Sequence, residues 1–146
     1  MKLSSPEFAN FEEIPARFTC DGESVNPALE IGDVPDKAES LVLVVDDPDA
    51  PKGDFVHWVV FNIDPRIQKI PEGQVPPESI QAVTSTGKSG YAGPCPPSGT
   101  HRYFFRLYAL DTALDLPPFI TADQLMHRVK AHIIDTAELV GLYSRD

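Results

Sequence analysis

Gly93-Pro94-Cys95-Pro96-Pro97-Ser98-Gly99-Thr100-His101-Arg102-Tyr103-Phe104-Phe105-Arg106-Leu107-Tyr108-Ala109-Leu110 joins a stiff turn to a strand. Proline holds φ at about −65°, and glycine reaches angles that other residues reach only at a cost. Three prolines and two glycines between Gly93 and Gly99 therefore leave this loop few conformations. From His101 the pattern has period two. His101, Tyr103, Phe105, Leu107 and Ala109 share one face, and Arg102, Phe104, Arg106, Tyr108 and Leu110 share the other. The first face opens with an imidazole and a phenol and continues as hydrocarbon. A polar pair at its mouth, beside a rigid loop with several free backbone N–H groups, is the pattern of a small-ligand site on a β scaffold.

Upstream, Leu41-Val42-Leu43-Val44-Val45 is a short apolar run bounded by polar residues, which predicts a central strand buried on both faces. It runs into Asp46-Asp47-Pro48-Asp49-Ala50-Pro51 and then Lys52-Gly53-Asp54. Asp46 and Asp54 read as solvated turn residues, whereas prolines hold Asp47 and Asp49 in place. A cis peptide before Pro48 or Pro51 is the rarer option. Phe55 to Ile63 reads as a second strong strand with His57, Val59, Phe61 and Ile63 on one face. A lone histidine on an apolar face is ordinarily a hydrogen-bonded core residue. Two of them, each opening a strong strand, point with Asp47 to one constellation.

The remaining chain is weaker in signal. Ile14 to Thr19 reads as a short strand before the Cys20-Asp21-Gly22 turn, and Asn26 to Ile31 as an edge strand after a proline. Asp64 to Pro77 reads as loop and Ile80 to Thr84 as a short strand. Thr121 and Gln124 form a capping-box signature for a helix to about Ala131, with Leu125, Met126 and Val129 inward. His127 and His132 fit that helix and its end. Ala137 to Tyr143 reads as a last strand. Prolines and glycines are scattered rather than clustered, which fits one domain, residues 1–146, of short strands joined by turns.

Composition narrows the function classes. No apolar run is long enough to span a bilayer, and the start lacks a secretory h-region, so a cytoplasmic protein without stable membrane insertion is expected. A formal net charge of −10 opposes nucleic acid and anionic membranes through the general field. An anion can bind only through local geometry. Cys20 and Cys95 are expected as two small, partly buried thiols; a bridge is the alternative, decided by a Cα separation within about 4.4–6.8 Å.

Asp47, His57, His101 and Tyr103 supply ring N–H groups, lone pairs and a phenolic donor, and the loop supplies backbone N–H groups. Together they suit a phosphate, sulfate or carboxylate, with Asp47 accepting a ring N–H and fixing its tautomer. Metal binding has suitable atom types but no H-x-x-x-H or C-x-x-C spacing. Acyl transfer lacks G-x-S-x-G, and Thr86 to Gly90 lacks the first glycine of a phosphate-binding loop. Acid–base hydrolysis by Asp47 and a histidine stays as a further option.

Asp47-Pro48-Asp49-Ala50-Pro51, His57 to Asn62 and Gly93 to Tyr103 together resemble the two signature regions of the phosphatidylethanolamine-binding protein family, also called Raf kinase inhibitor-like. Ile14 to Leu29, with Phe18 to Gly22 inside it, and Ala137 to Gly141 resemble its short bacterial and archaeal branch. The resemblance implies a mostly β, β-sandwich-like fold with a central antiparallel sheet and few helices. It implies a small anion pocket of Asp47, His57, Gly93, Cys95, Pro96, His101 and Tyr103, with Asp49 and Arg102 paired behind it to brace two loops. It implies no cofactor and a non-catalytic, regulatory role; inhibition of a protease or kinase through a surface loop is the alternative, and weak hydrolysis the second. The expected partner is a small anionic ligand, such as phosphate, acetate or a phosphorylated head group, with a protein target and a homodimer left open. Cys95 stands where eukaryotic members carry glycine, Val56 replaces the first histidine of a pair, and the extension that flanks the pocket in animal members is absent. These departures weigh against phospholipid and kinase binding.

Overall fold

A computed structural model describes residues 1–146. Its strands are β1 (Lys2–Ser4), β2 (Glu12–Glu13), β3 (Leu29–Gly32), β4 (Ser40–Asp47), β5 (Phe55–Ile63), β6 (Lys69–Ile70), β7 (Ile80–Gln81), β8 (Gly99–Leu110) and β9 (Ile133–Arg145). One helix, α1 (Ala122–Val129), lies between β8 and β9. Six strands form one sheet in the order β2-β9-β8-β4-β5-β7, and three form another in the order β1-β3-β6. Every pairing is antiparallel except β2 with β9. The chain is mostly β, as its strand patterns lead one to expect.

Two cores explain why β4 is buried along its whole length. Leu41, Leu43 and Val45 point into a large cluster with Tyr103, Phe105, Leu107 and Ala109 of β8 and Leu29 and Ile31 of β3. Val42 and Val44 point the other way, onto Leu125 and Val129 of α1. The central strand is therefore roofed by a sheet on one side and by a helix on the other, and an alternating pattern could not have satisfied both. Each Leu, Val or Phe so buried contributes roughly 1.5–3 kcal/mol. Thr121 caps α1 through the Gln124 N–H, and the Gln124 side chain reaches back to the Thr121 N–H, so the capping box is complete.

Several local expectations need correction. Ile14 to Thr19 is not a strand: Ala16–Phe18 form a turn of 3-10 helix, with Phe18 buried beneath it. Asn26 to Ile31 does not end at a sheet edge, because β3 is the middle strand between β1 and β6. The Asp64 to Pro77 loop contains β6. No peptide bond is cis. Asp46 is not a solvated turn residue; it is 4% exposed at the end of β4 and bonds to the Arg106 Nε–H at 2.7 Å.

The face of His57 is the most consequential correction. Val45 pairs with Trp58 and Asp46 with Val56, so His57 is the extra residue of a bulge. A second irregularity lies near Asn62, whose φ of 56° is in the left-handed region that asparagine tolerates. Trp58, Val60 and Ile63 therefore face the large cluster, while Val59 and Phe61 face α1. His57 parts company with Val59 and Phe61, and its ring lies against Tyr103 instead.

Candidate functional site

β4 runs antiparallel to β5 and β8, so its C-terminal end lies beside their N-terminal ends. Asp47 pairs directly with Phe55, and Gly99 opens β8 with a φ of 73° that favours glycine. The loops attached to these three ends enclose a hollow of about 280 Å³. Asp47, His57, Gly93, Cys95, Pro96, His101 and Tyr103 all line it. Residues spread over more than fifty positions of sequence thus meet at one end of the large sheet.

His101 and Asp47 are 7% and 3% exposed. The His101 Nδ1–H donates to Asp47 Oδ2 at 2.6 Å, and the Asp49 N–H donates to Asp47 Oδ1 at 2.8 Å. Both oxygens of the carboxylate are therefore engaged by protein, and its charge is directed at the imidazole. Behind them Asp49 accepts three N–H groups of Arg102: the backbone N–H at 3.0 Å, Nε–H at 2.9 Å and Nη2–H at 2.9 Å. Hydrogen bonding from that guanidinium holds the Asp49 carboxyl down at about 2. This forked pair ties the β4–β5 loop to the start of β8.

His57 faces the pair. Its Nδ1–H donates to the Ala92 carbonyl at 2.7 Å, which places the proton of the neutral ring on Nδ1. Burial pushes its pKa below the ordinary histidine value, opposed by the Ala92 carbonyl and by the charges of Asp47 and Asp46. The ring is therefore neutral near pH 7 with a lone pair on Nε2. Its neighbours are Phe55, with ring centroids 4.8 Å apart, and Tyr103 at 5.4 Å edge-on.

Tyr103 is fully buried, and its Oη is the one buried side-chain polar atom without a hydrogen-bond partner. Burial and then the charge of Asp47 push the phenol up, with the nearby Cys95 N–H opposing, so it remains a donor at any physiological pH. Nε2 of His57 and Nε2 of His101 also have no protein partner, yet neither is sealed off. Three side-chain polar atoms are thus left over at one hollow.

The loop carries fewer free N–H groups than its sequence promises. The Gly93 N–H donates to Ser24 Oγ at 3.0 Å. A Cβ at Gly93 would lie 2.6 Å from that oxygen and 2.9 Å from the Phe18 carbonyl, so glycine is required there by close approach. Cys95 is not a thiol: it is bonded to Cys20, with Cα atoms 5.4 Å apart. The expectation of two free thiols fails, and the alternative of a bridge holds. Sequence reasoning also missed Phe55, Thr86, Pro51 and Pro97 in the lining. Phe55 could have been found, since it stands two residues before His57; Thr86 comes from a loop with no such marker. No group of three or more His, Cys, Asp or Glu side chains is placed to hold a metal ion.

Comparison with known proteins gives consistent matches. A family model described as phosphatidylethanolamine-binding protein matches residues 4–144. A UPF0098 protein of Methanothermobacter thermautotrophicus is 47% identical over 99% of both chains. The crystal structure of CT736 from Chlamydia trachomatis, described as a phosphatidylethanolamine-binding protein homolog, superposes with a TM-score of 0.95 at 40% identity, covering 99% of this chain and 97% of that one. The Escherichia coli protein YbcL, described as a new member of the mammalian family, gives 0.93 at 27% identity, covering 99% and 98%.

Proposed function

This chain belongs to the phosphatidylethanolamine-binding protein family, and on that premise we propose that it binds a small anion, a phosphate or carboxylate group, in the hollow at the ends of β4, β5 and β8. It acts as a regulatory binding protein and not as a catalyst. The observation that carries this reading is Tyr103 Oη, a buried donor with no partner, at a hollow that two imidazole Nε2 atoms also face. A buried hydroxyl left unpaired costs about 1–3 kcal/mol, a cost that an acceptor in the hollow removes. Both oxygens of Asp47 accept N–H groups from His101 and Asp49, and Asp49 is paired with the Arg102 guanidinium, so neither carboxylate turns an unbonded oxygen to a guest.

The chemistry of the guest follows from the donor count. Tyr103 Oη can donate, His101 Nε2 donates when its ring carries a second proton, and neutral His57 offers a lone pair. A monoprotonated phosphate ester or a carboxylic acid–carboxylate pair of oxygens can meet all three, since it carries both acceptors and one O–H. The hollow is large enough for a phosphate or acetate group with a short substituent.

Titration calorimetry with inorganic phosphate, phosphoethanolamine and acetate tests the proposal. Millimolar or tighter binding to the wild-type protein is expected, with a loss of about tenfold or more in His101→Ala. Absence of binding by all three overturns it. Turnover of a phosphate ester that His101→Ala abolishes while the anion still binds would favour hydrolysis instead.

A further inference from the structure

The disulfide stands apart from the hydrogen-bonded site in its chemistry. Cys20 and Cys95 are both exposed at the surface, and Cys95 also lines the anion hollow. Arg145 near the end of β9 pairs in register with Gly99 at the start of β8. That pairing carries its guanidinium onto the bridge, with Nη1 3.1 Å from Cys95 Sγ and 3.7 Å from Cys20 Sγ. Its Nε lies 3.5 Å from Asp21 Oδ2, which holds the side chain in place.

A cation against a sulfur stabilises the thiolate and so makes that sulfur the better leaving group in thiol–disulfide exchange. The shorter distance assigns that role to Cys95. We propose that Cys20–Cys95 is a thiol–disulfide exchange site, reducible by a dithiol, whose state sets how firmly the neighbouring hollow holds its anion. The second half rests on the reading of the hollow given above; the first half does not.

A thiolate of the dithiol attacks Cys20 Sγ, the Cys20–Cys95 bond breaks, and Cys95 leaves as a thiolate beside Arg145. The second thiol of the reductant attacks its own sulfur in the mixed disulfide and expels Cys20. Two electrons pass from the dithiol to the protein, the reductant becomes a disulfide, and of its two protons one ends on Cys20 and one is released to water, leaving Cys95 as the thiolate.

Reduction changes the wall of the hollow more than its floor. Gly93 remains tied to Ser24, Tyr91 Oη to the Phe18 carbonyl at 2.7 Å, and the Cys20 N–H to the Pro94 carbonyl at 3.1 Å. Beyond Pro94 the bridge is the covalent tie between the loop and the Cys20 turn. Its loss frees Cys95 to Ser98, and a thiolate at Cys95 adds negative charge where the anion sits. Both effects lower affinity, and by linkage a bound anion must then oppose reduction.

Reduction by dithiothreitol, followed by thiol titration, tests the exchange site on the intact protein. The wild-type bridge should open far below the unfolding transition. Arg145→Gln should slow the reaction about threefold to tenfold, and Arg145→Lys should restore most of the rate. In urea, where the guanidinium is no longer positioned, wild type and Arg145→Gln should react alike. Equal rates in the folded proteins, or reduction only on global unfolding, overturn the assignment.

Calorimetry with inorganic phosphate on the oxidised and reduced proteins tests the regulation. Reduction should weaken binding about tenfold, and the Cys20→Ser/Cys95→Ser double variant, which frees the loop without the thiolate charge, should fall between the oxidised and reduced proteins. Saturating phosphate should slow the reduction. Equal affinity in both states overturns the regulatory half. Absence of phosphate binding in either state refutes the reading of the hollow, while the dithiothreitol rates still decide the exchange site.

Discussion

Replacing Tyr103 by Phe separates folding from binding, because the two are predicted to change in opposite directions. In the free protein the Tyr103 hydroxyl is buried and without a partner. Removing it deletes a desolvated polar group and keeps the ring that packs between His57 and His101. The unpaired group costs about 1–3 kcal/mol, so Tyr103→Phe should raise stability by about 1 kcal/mol, or roughly 2–4 °C in Tm. With an anion present the hydroxyl gains its acceptor, and its loss should weaken affinity about tenfold.

The stability order should therefore cross. At a phosphate concentration of 100 times the wild-type Kd, ligand stabilises the wild-type protein by about 2.7 kcal/mol. A variant with tenfold weaker affinity gains about 1.4 kcal/mol. The variant begins about 1 kcal/mol ahead and ends about 0.3 kcal/mol behind. Chemical denaturation with the disulfide intact, at zero and saturating phosphate, measures all four values. A variant that is less stable without phosphate, together with unchanged affinity, refutes the idea that this hydroxyl is held in reserve for a guest.

Three further outcomes follow from local geometry. Burial depresses the folded-state pKa of His57, so between that value and the unfolded value of about 6.5 the unfolded chain binds more protons. Stability should be fully present above pH 6.5 and decline as the pH falls through that window, and His57→Gln should flatten the decline in pH-resolved denaturation curves. Asp54 is the opposite case: burial and then Asp46, through a hydrogen bond and its charge, push its carboxyl up to about 7. The folded form thus favours the proton, stability falls as the pH rises through 7, and Asp54→Asn should gain at pH 8 relative to pH 5; the residue is exposed, so screening keeps the gain small. Gly93→Ala places a methyl 2.6 Å from Ser24 Oγ and 2.9 Å from backbone atoms of Phe18 and Thr19. The displaced wall should lower Tm by several degrees and weaken phosphate binding, both read in one thermal-shift titration.

What could be read from the chain ahead of its structure divides by range. The alternation from His101 to Ala109 is written in consecutive side chains, and all five odd positions are buried as that pattern demands. The Leu41 to Val45 run is equally local, and so is the Thr121 capping box. Strands of two residues, such as β2, β6 and β7, carry no period to detect. The bulge at His57 is invisible for another reason: it is set by how β5 registers against β4, and nothing in Phe55 to Ile63 announces an extra residue. Asp46 looked solvated because its partner Arg106 lies 60 positions away, and the Cys20–Cys95 bridge spans 75. Cysteine count and charge pattern cannot supply such pairings, since they are consequences of the closed sheet.

The protein's charge gives this division a physical edge. A net charge of −10 argues against an anion site only if the charges near the site are uncompensated. Fields from exposed groups decay over about 8 Å at physiological ionic strength, so the few groups around the hollow outweigh the remainder. There Asp47 is hydrogen-bonded by His101, and Asp49 and Asp46 are paired with the guanidinium groups of Arg102 and Arg106. Each base comes from β8 and each acid from the end of β4 or the turn that follows. Aspartates crowded after one strand and bases alternating along another are separately ambiguous. Antiparallel pairing of β4 with β8 brings the two sets together and leaves the hollow with unpaired polar atoms on His57, His101 and Tyr103 instead of bare carboxylates.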